Sequence, residues 1–219
     1  MSIHKHVLAF AMSCILTSTL AQENEPIQLN HDIGFNTNFV IQNLFDATQT
    51  PFDLMYKTYR SENKAIRYGV SFFASTRNSE SHSTASNNSY SDYSHFSLSP
   101  SIGKEFQSVI NKHWVYYYGG DMIATYGKNT SDYFYGNGDK YIEYLSESYG
   151  LRARPFIGLR FNINPRLYLV TELSVSLAYW HTSDFQRNIQ SDQVERDLTS
   201  NSFALSLNRA TGILLFYRF

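Results

Sequence analysis

Hydrophobic and polar residues alternate along most of this chain with a period of two, which is the pattern of β-strands. Along residues 149–161 every second residue is apolar, and the residues between them include three arginines and two glycines. The alternation recurs in eight segments and therefore predicts eight strands. The predicted strands are 29–41, 52–59, 66–75, 93–106, 114–126, 149–161, 167–179 and 202–219.

The lengths of the strands and of their connections favour a membrane barrel. Several segments exceed the about 5–6 residues usual in globular strands, and about 9–11 residues cross a membrane as a tilted strand. The short connections are 61–65, 107–113 and 162–166, and the long, polar ones are 77–92, 127–147 and 181–201. Tight periplasmic turns and longer outer loops are typical of such barrels. We therefore predict an all-β fold, an up-and-down antiparallel transmembrane β-barrel of eight strands.

The polar face of the strands distinguishes two kinds of barrel. In a soluble, lipocalin-like barrel the apolar face points inward, whereas in a membrane barrel it meets lipid. The polar face here is rich in glycine and serine, which suit the crowded interior of an eight-stranded barrel. Tyrosine and tryptophan collect near the segment ends, where interfacial girdles lie in membrane proteins. These features favour the membrane barrel.

Composition and charge exclude other classes of protein. The 219 residues suffice for one ordinary domain, and 18 basic against 19 acidic residues indicate no nucleic-acid-binding surface. The mean hydropathy of −0.35 is compatible with a membrane barrel, because only one face of each strand is apolar.

The N-terminal residues 1–21 have the pattern of a cleaved signal peptide, which leaves 22–219 as the barrel domain. A basic start at Lys5 precedes an uncharged, mostly apolar run over 7–20, and Ala21 supplies the small residue before a cleavage site. The run is too short and too rich in serine and threonine for a transmembrane anchor. Cys14, the chain's one cysteine, lies inside this run in a poor lipoprotein context, so the mature chain is expected to have no disulfide.

The C-terminal residues carry a resemblance to a known family. Ile213, Leu215, Tyr217 and Phe219 alternate along the last segment and form one apolar face. This pattern resembles the C-terminal signature that the barrel-assembly machinery of outer membranes recognises. With the signal peptide and the eight amphipathic segments, it makes the chain similar to the small outer-membrane β-barrel family of the OmpA transmembrane-domain and OmpX type. The resemblance implies a monomer among outer-membrane lipids, with these four residues as the assembly signal.

A group of charged residues shares the polar face of the predicted strands. Its members are Arg67, Asp121, Arg152, Arg154, Arg160 and Glu172. In a membrane barrel they point into the lumen, where arginines need carboxylate partners because an unpaired buried charge is costly. We therefore expect a structural role, an interior ion-pair plug that blocks a continuous water path. A narrow anion-preferring pore is the alternative.

No motif indicates catalysis, a cofactor or a metal. His181 and Ser183 could share a strand face, as the pair of a lipid A-modifying acyl hydrolase would, but Asp184 would point to the opposite face. The histidines have no metal-ligand spacing. We therefore expect neither an enzyme nor a cofactor, and the acyl hydrolase remains an alternative.

The long connections suggest a second possible function. Residues 77–92, 127–147 and 181–201 are rich in Tyr, Asn, Ser and Asp, which suits adaptable polar contacts with an extracellular ligand. The Ser- and Asn-rich stretch 77–92 is expected to be a mobile outer loop. The sequence leaves open an inert structural barrel and one that binds or adheres through these loops.

Overall fold

The computed structural model describes residues 30–37, 52–81, 89–135, 138–208 and 213–219, nearly all of which lie in β-strands. The strands are β1 (His31–Asn36), β2 (Phe52–Ser61), β3 (Lys64–Ser81), β4 (Ser89–Val109), β5 (Trp114–Tyr135), β6 (Lys140–Asn162), β7 (Leu167–Asn188), β8 (Gln193–Asn208) and β9 (Leu214–Arg218). The predicted signal peptide, 1–21, lies outside the described residues.

The strands form one closed antiparallel ring. From β1 to β7, each strand pairs with the next one along the chain. β9 pairs with the start of β7 on one side and with β1 on the other, which closes the ring. β8 pairs with the remainder of β7, so β8 and β9 lie end to end in one position. The predicted eight-stranded barrel is confirmed. The last predicted strand, 202–219, corresponds to the end of β8 and to β9, and residues 209–212 between them lie outside the described residues.

The long outer loops predicted from composition are largely β-ribbon. Only four residues join β5 to β6 where the sequence predicts a loop over 127–147, and only four, 189–192, join β7 to β8 within the predicted loop 181–201. β3 and β4 likewise extend into 77–92 from both sides. For the described residues the loop prediction is wrong, because a ladder of backbone hydrogen bonds does not require apolar side chains. Residues 82–88 of the predicted loop 77–92 lie outside the described residues.

The connections at the opposite end of the barrel are tight turns, as predicted. In the β4–β5 turn, the side-chain oxygen of Asn111 accepts hydrogen bonds from the backbone nitrogens of His113 and Trp114, at 2.9 and 3.0 Å. Asn164 has the same role in the β6–β7 turn, at 2.8 and 2.7 Å. An asparagine that hydrogen-bonds the backbone two residues on stabilises a turn without help from packing.

The barrel is polar inside and apolar outside. Lys57, Arg67 and Glu105 point into the lumen and are each 1% exposed, whereas Leu151 and Leu177 point outward and are 54% and 56% exposed. Burial is therefore inverted relative to a soluble barrel, as the alternation predicts. Among the described residues, no helix is long and apolar enough to cross a membrane.

Candidate functional site in the barrel interior

A network of ion pairs fills the half of the lumen nearest the short turns. At its centre, Glu105 on β4 accepts hydrogen bonds from Lys57 Nζ at 2.7 Å and from Arg67 Nη1 at 3.3 Å. Lys57 and Arg67 are direct partners across β2 and β3, and Glu105 pairs with the residue two positions before Arg67. The strand register thus places both cations against one buried carboxylate.

Arg67 connects this centre to two more carboxylates. Its guanidinium donates to both carboxylate oxygens of Glu172 on β7, at 2.8 and 3.2 Å, and its Nε lies 3.5 Å from Asp121 Oδ1 on β5. Asp121 also accepts a hydrogen bond of 2.7 Å from Arg154 on β6. The resulting plug network consists of Lys57, Arg67, Arg154, Glu105, Asp121 and Glu172. Three cations face three anions, so its formal charge is zero.

Aromatic rings pack directly against the cations of the plug network. The Phe156 ring lies 4.0 Å from the guanidinium carbon of Arg67, and the Phe216 ring lies 4.4 Å from Lys57 Nζ. Tyr168 stacks on Phe216, with ring centres 5.1 Å apart and planes that differ by 1°. The rings contribute cation–π attraction and exclude water, which strengthens the ion pairs they enclose.

A second charged cluster lies nearer the short turns and joins β1 to β9. Arg218 on β9 donates to both carboxylate oxygens of Asp32 on β1, at 2.8 and 3.1 Å. The hydroxyls of Tyr59 and Tyr168 donate to the same carboxylate. Tyr59 also accepts a hydrogen bond from Gln107 Nε2 at 3.2 Å, and Gln107 in turn donates to Glu105 of the plug network. The two clusters therefore form one continuous polar core.

The structure brings together four of the six charged residues that the sequence assigns to the lumen: Arg67, Asp121, Arg154 and Glu172. Arg160 lies nearer the turns, where its guanidinium donates to Gln107 Oε1 at 3.0 Å. Arg152 lies on the outer side of the plug network, with its guanidinium carbon 5.8 Å from the Trp180 ring. Among the described residues, neither Arg160 nor Arg152 has a carboxylate partner.

Sequence reasoning missed four charged members of the polar core: Asp32, Lys57, Glu105 and Arg218. All four occupy the polar face of their strands, so the alternation was a usable signal for their direction. Their partners were not predictable from it, because Lys57 lies 48 residues from Glu105 in sequence and Asp32 lies 186 residues from Arg218.

The outer half of the lumen contains a polar cavity of about 600 Å³. Arg152 and Arg154 line it from β6, Asp53 lines it from β2, and serines of β3 and β4 supply hydroxyl groups. Arg154 and Glu172 belong to both the cavity lining and the plug network, so the network is the floor of the cavity.

The C-terminal residues form the closing part of the wall. Leu215 and Tyr217 face outward from β9, while Ile213 and Phe219 are 48% and 49% exposed. The backbone nitrogen of Phe219 donates to the carbonyl of His31 at 2.9 Å, and its carbonyl accepts from the nitrogen of His31 at 3.2 Å. The role of Ile213, Leu215, Tyr217 and Phe219 as an assembly signal stays a prediction.

The segment considered for hydrolysis does not assemble a triad. His181 Nδ1 lies 2.8 Å from Asn201 Oδ1, and Asp184 accepts a hydrogen bond of 3.0 Å from the Tyr144 hydroxyl. His181 and Asp184 are an odd number of residues apart on β7, so they face opposite sides of the strand. Within the described part of the chain, no group of three His, Cys, Asp or Glu residues could hold a metal ion.

A closed antiparallel ring with a charged interior and an apolar exterior defines the class of inside-out β-barrels. No family model and no curated protein matches the chain. Solved structures similar to it include a major outer membrane protein from Thermus thermophilus, with a TM-score of 0.41, 11% identity and coverage of 87% of this chain and 98% of that one.

Two further solved structures are similar to the chain. Ail, the attachment invasion locus protein of Yersinia pestis, gives a TM-score of 0.31 with 16% identity over 87% of this chain and 97% of its own. CarO of Acinetobacter baumannii gives a TM-score of 0.35 with 9% identity, over 90% of this chain and 100% of its own. All three TM-scores lie below 0.5, so no function is inferred from these likenesses.

Proposed function

We propose that this protein is an integral β-barrel of the bacterial outer membrane, with a lumen closed by the plug network and β-ribbons that stand outside. The inverted burial carries the proposal: Arg67 inside is 1% exposed, whereas Leu151 outside is 54% exposed. In water this arrangement would present a broad apolar surface, which soluble monomers rarely tolerate. In lipid the same arrangement is stable, because the closed ring satisfies its backbone groups internally.

The height of the apolar belt supports a membrane-spanning position. On β6 the outward residues from Leu151 to Phe161 are apolar throughout. Ten residue steps cover about 33 Å of strand, or about 25 Å along the barrel axis at a typical tilt, which matches the apolar band of membrane barrels. Aromatic pairs mark both edges. Tyr126 packs on Tyr149 at 5.2 Å at one edge, and Trp114 packs on Phe161 at 4.9 Å at the other.

The charge balance of the plug network supports a closed lumen over an anion-preferring pore. An anion pore needs arginines whose charge is available to a passing ion. Arg67 instead contacts three carboxylates, and its side chain is 2% exposed. Arg154 is paired with Asp121, and Arg160, nearer the turns, donates to Gln107 and is 6% exposed, so the described part of the narrow lumen presents no free positive ring.

The β-ribbons support a second function, binding of a partner outside the cell. Beyond Tyr126 and Tyr149, β5 and β6 continue for nine residues each, which is about 30 Å of strand. Near the tip, Tyr135 stacks on Tyr141 with ring centres 4.3 Å apart. Rigid aromatic side chains give contact area at low entropic cost, which is the property that binding surfaces use.

Labelling of intact cells tests the membrane position and orientation. We expect Asp192→Cys, in the β7–β8 turn, to react with a membrane-impermeant maleimide on whole cells. Lys112→Cys, in the opposite β4–β5 turn, should react only after the cells are broken. The chain's one natural cysteine is Cys14, in the predicted signal peptide. Equal labelling of both variants in whole cells would exclude the proposed orientation. Recovery of the protein in the soluble fraction would exclude the membrane position.

Planar-bilayer conductance separates the closed barrel from the pore. We expect the detergent-folded protein to give no sustained current. Steady anion-selective currents that Arg152→Ala abolishes would instead establish the pore. Migration on unboiled and boiled gels should differ in both cases, because it reports only that the barrel has folded.

A further inference from the structure

Two residues of opposite charge, Asp53 and Arg152, line the outer cavity and have no ion-pair partner among the described residues. From the part of the chain that the structure describes, Asp53 accepts hydrogen bonds from two uncharged groups, Asn36 Nδ2 at 3.1 Å and the Ser71 hydroxyl. Arg152 has the Trp180 ring at 5.8 Å and, within the described part of the chain, no carboxylate at ion-pair distance. Both side chains border the same cavity of about 600 Å³.

The two charges approach the cavity from opposite walls. β2 and β6 lie four positions apart in a ring of eight, so lumen-facing side chains on these strands point toward each other. The other charged residues on the floor are compensated, since Arg154 pairs with Asp121 and Glu172 pairs with Arg67. The cavity therefore has one positive wall at Arg152 and one negative wall at Asp53.

We propose that this cavity binds a small zwitterionic solute, a free amino acid or short peptide, with its carboxylate at Arg152 and its ammonium group at Asp53. A solute with a single charge would compensate one wall and leave the other half-buried charge without a partner. The volume lies within the range of about 300–1,000 Å³ that is usual for small-molecule sites.

The lining also fits the neutral part of such a solute. Ser97, Ser99 and Ser101 follow one another on the lumen face of β4, and hydroxyl groups both donate to and accept from amide groups. Because the plug network forms the floor, the cavity is a blind binding site that opens toward the ribbons and not a passage.

Trp180 provides a built-in reporter for the site. The chain has two tryptophans, and the other, Trp114, lies at the opposite edge of the barrel. In a Trp114→Phe background, the folded protein is titrated with glycine, diglycine and triglycine, whose two charges lie at increasing separation. N-acetylglycine and glycinamide, which each lack one charge, are the matched controls. We expect at least one zwitterion to saturate the change in Trp180 fluorescence, with about tenfold weaker binding of both controls.

Two single variants test which charged group of the solute each wall of the cavity binds. Arg152→Gln should weaken the best zwitterion about tenfold and remove its advantage over glycinamide. Asp53→Asn should weaken it similarly and remove its advantage over N-acetylglycine. Lys128→Gln, which changes an exposed charge on the outer surface of β5, should leave binding unchanged. Arg152→Lys and Asp53→Glu keep the charges and should retain part of the preference for zwitterions.

Three results would overturn the proposal: no saturable change with any zwitterion, equal binding of the best zwitterion and either control, or full binding by Arg152→Gln or Asp53→Asn. Liposome swelling with triglycine gives a separate answer about the plug. Entry of triglycine into liposomes would contradict the closed lumen and leave the binding site standing.

Discussion

Asp32 and Arg218, which lie 186 residues apart in sequence, form an ion pair with two hydrogen bonds that joins β1 to β9. Asp32 is 0% exposed, and the side chain of Arg218 is 20% exposed. The pair lies at the closure of the ring, where the described ladders are short: β1 forms five residue pairs with β9, and β9 forms four with β7. The side-chain contact therefore adds to a weak part of the wall.

Loss of the Asp32 charge should destabilise the folded barrel. Asp32→Asn leaves Arg218 without its carboxylate in the polar core, and breaking a buried pair from one side costs about 3–5 kcal/mol. We expect a lower urea midpoint, measured by the gel mobility of unboiled samples. Asp192→Asn removes a solvent-exposed partner of Arg187 and should leave the midpoint unchanged. Equal midpoints for the two variants would show that the closing pair contributes nothing.

The plug network should tolerate the loss of a matched pair better than the loss of one charge. Glu105→Gln leaves Lys57 and part of Arg67 uncompensated, at a cost of about 3–5 kcal/mol. The double variant Lys57→Met/Glu105→Leu instead removes one cation and one anion, which keeps the network neutral. We therefore expect it to recover most of the stability that Glu105→Gln loses. The urea midpoints of the single and double variants measure this difference. A double variant less stable than Glu105→Gln would contradict the charge-balance account.

Gly34 should be required for the packing of Phe216. A Cβ at Gly34 would lie 2.4 Å from the Phe216 ring, which is sandwiched between β1 and the Tyr168 ring. We expect Gly34→Ala to lower the yield of folded barrel on gels, and Phe216→Leu in the same chain to restore part of it. Gly120→Ala is the matched control, because its Cβ would meet no atom closer than 3.9 Å. A normal yield for Gly34→Ala would show that the ring moves without cost.

The outward face of β6 should show a depth-dependent tolerance of charge. Ile157→Arg places a cation in the apolar belt and should cost about 2–4 kcal/mol in folding into lipid vesicles, whereas Leu145→Arg, beyond Tyr149 on the same strand face, should cost about 0–1 kcal/mol. Refolding titrations in vesicles measure both values. Equal costs would contradict the position assigned to the belt.

The alternation of residues was sufficient to predict the wall of the barrel and the direction of its charges. Leu151 faces outward and Arg67 inward for the one reason that side chains alternate across a strand. The partners of each charge depend on the stagger of distant strands, which periodicity does not report, so the contact of Lys57 with Glu105 was not predictable. Polar composition also led to wrong loop predictions, since the residues of 127–147 pair through their backbones.

The five-residue strand β9 has a consequence for how the barrel is made. β9 follows every other strand along the chain, yet it alone connects β1 to β7 in the described part of the ring. Until β9 is in place, the earlier strands can form only an open sheet with free backbone groups on β1 and on the first residues of β7. Such edges are costly in lipid and readily pair with another chain. Closure of the ring therefore requires that the first strand be kept from wrong partners until the last strand has reached it.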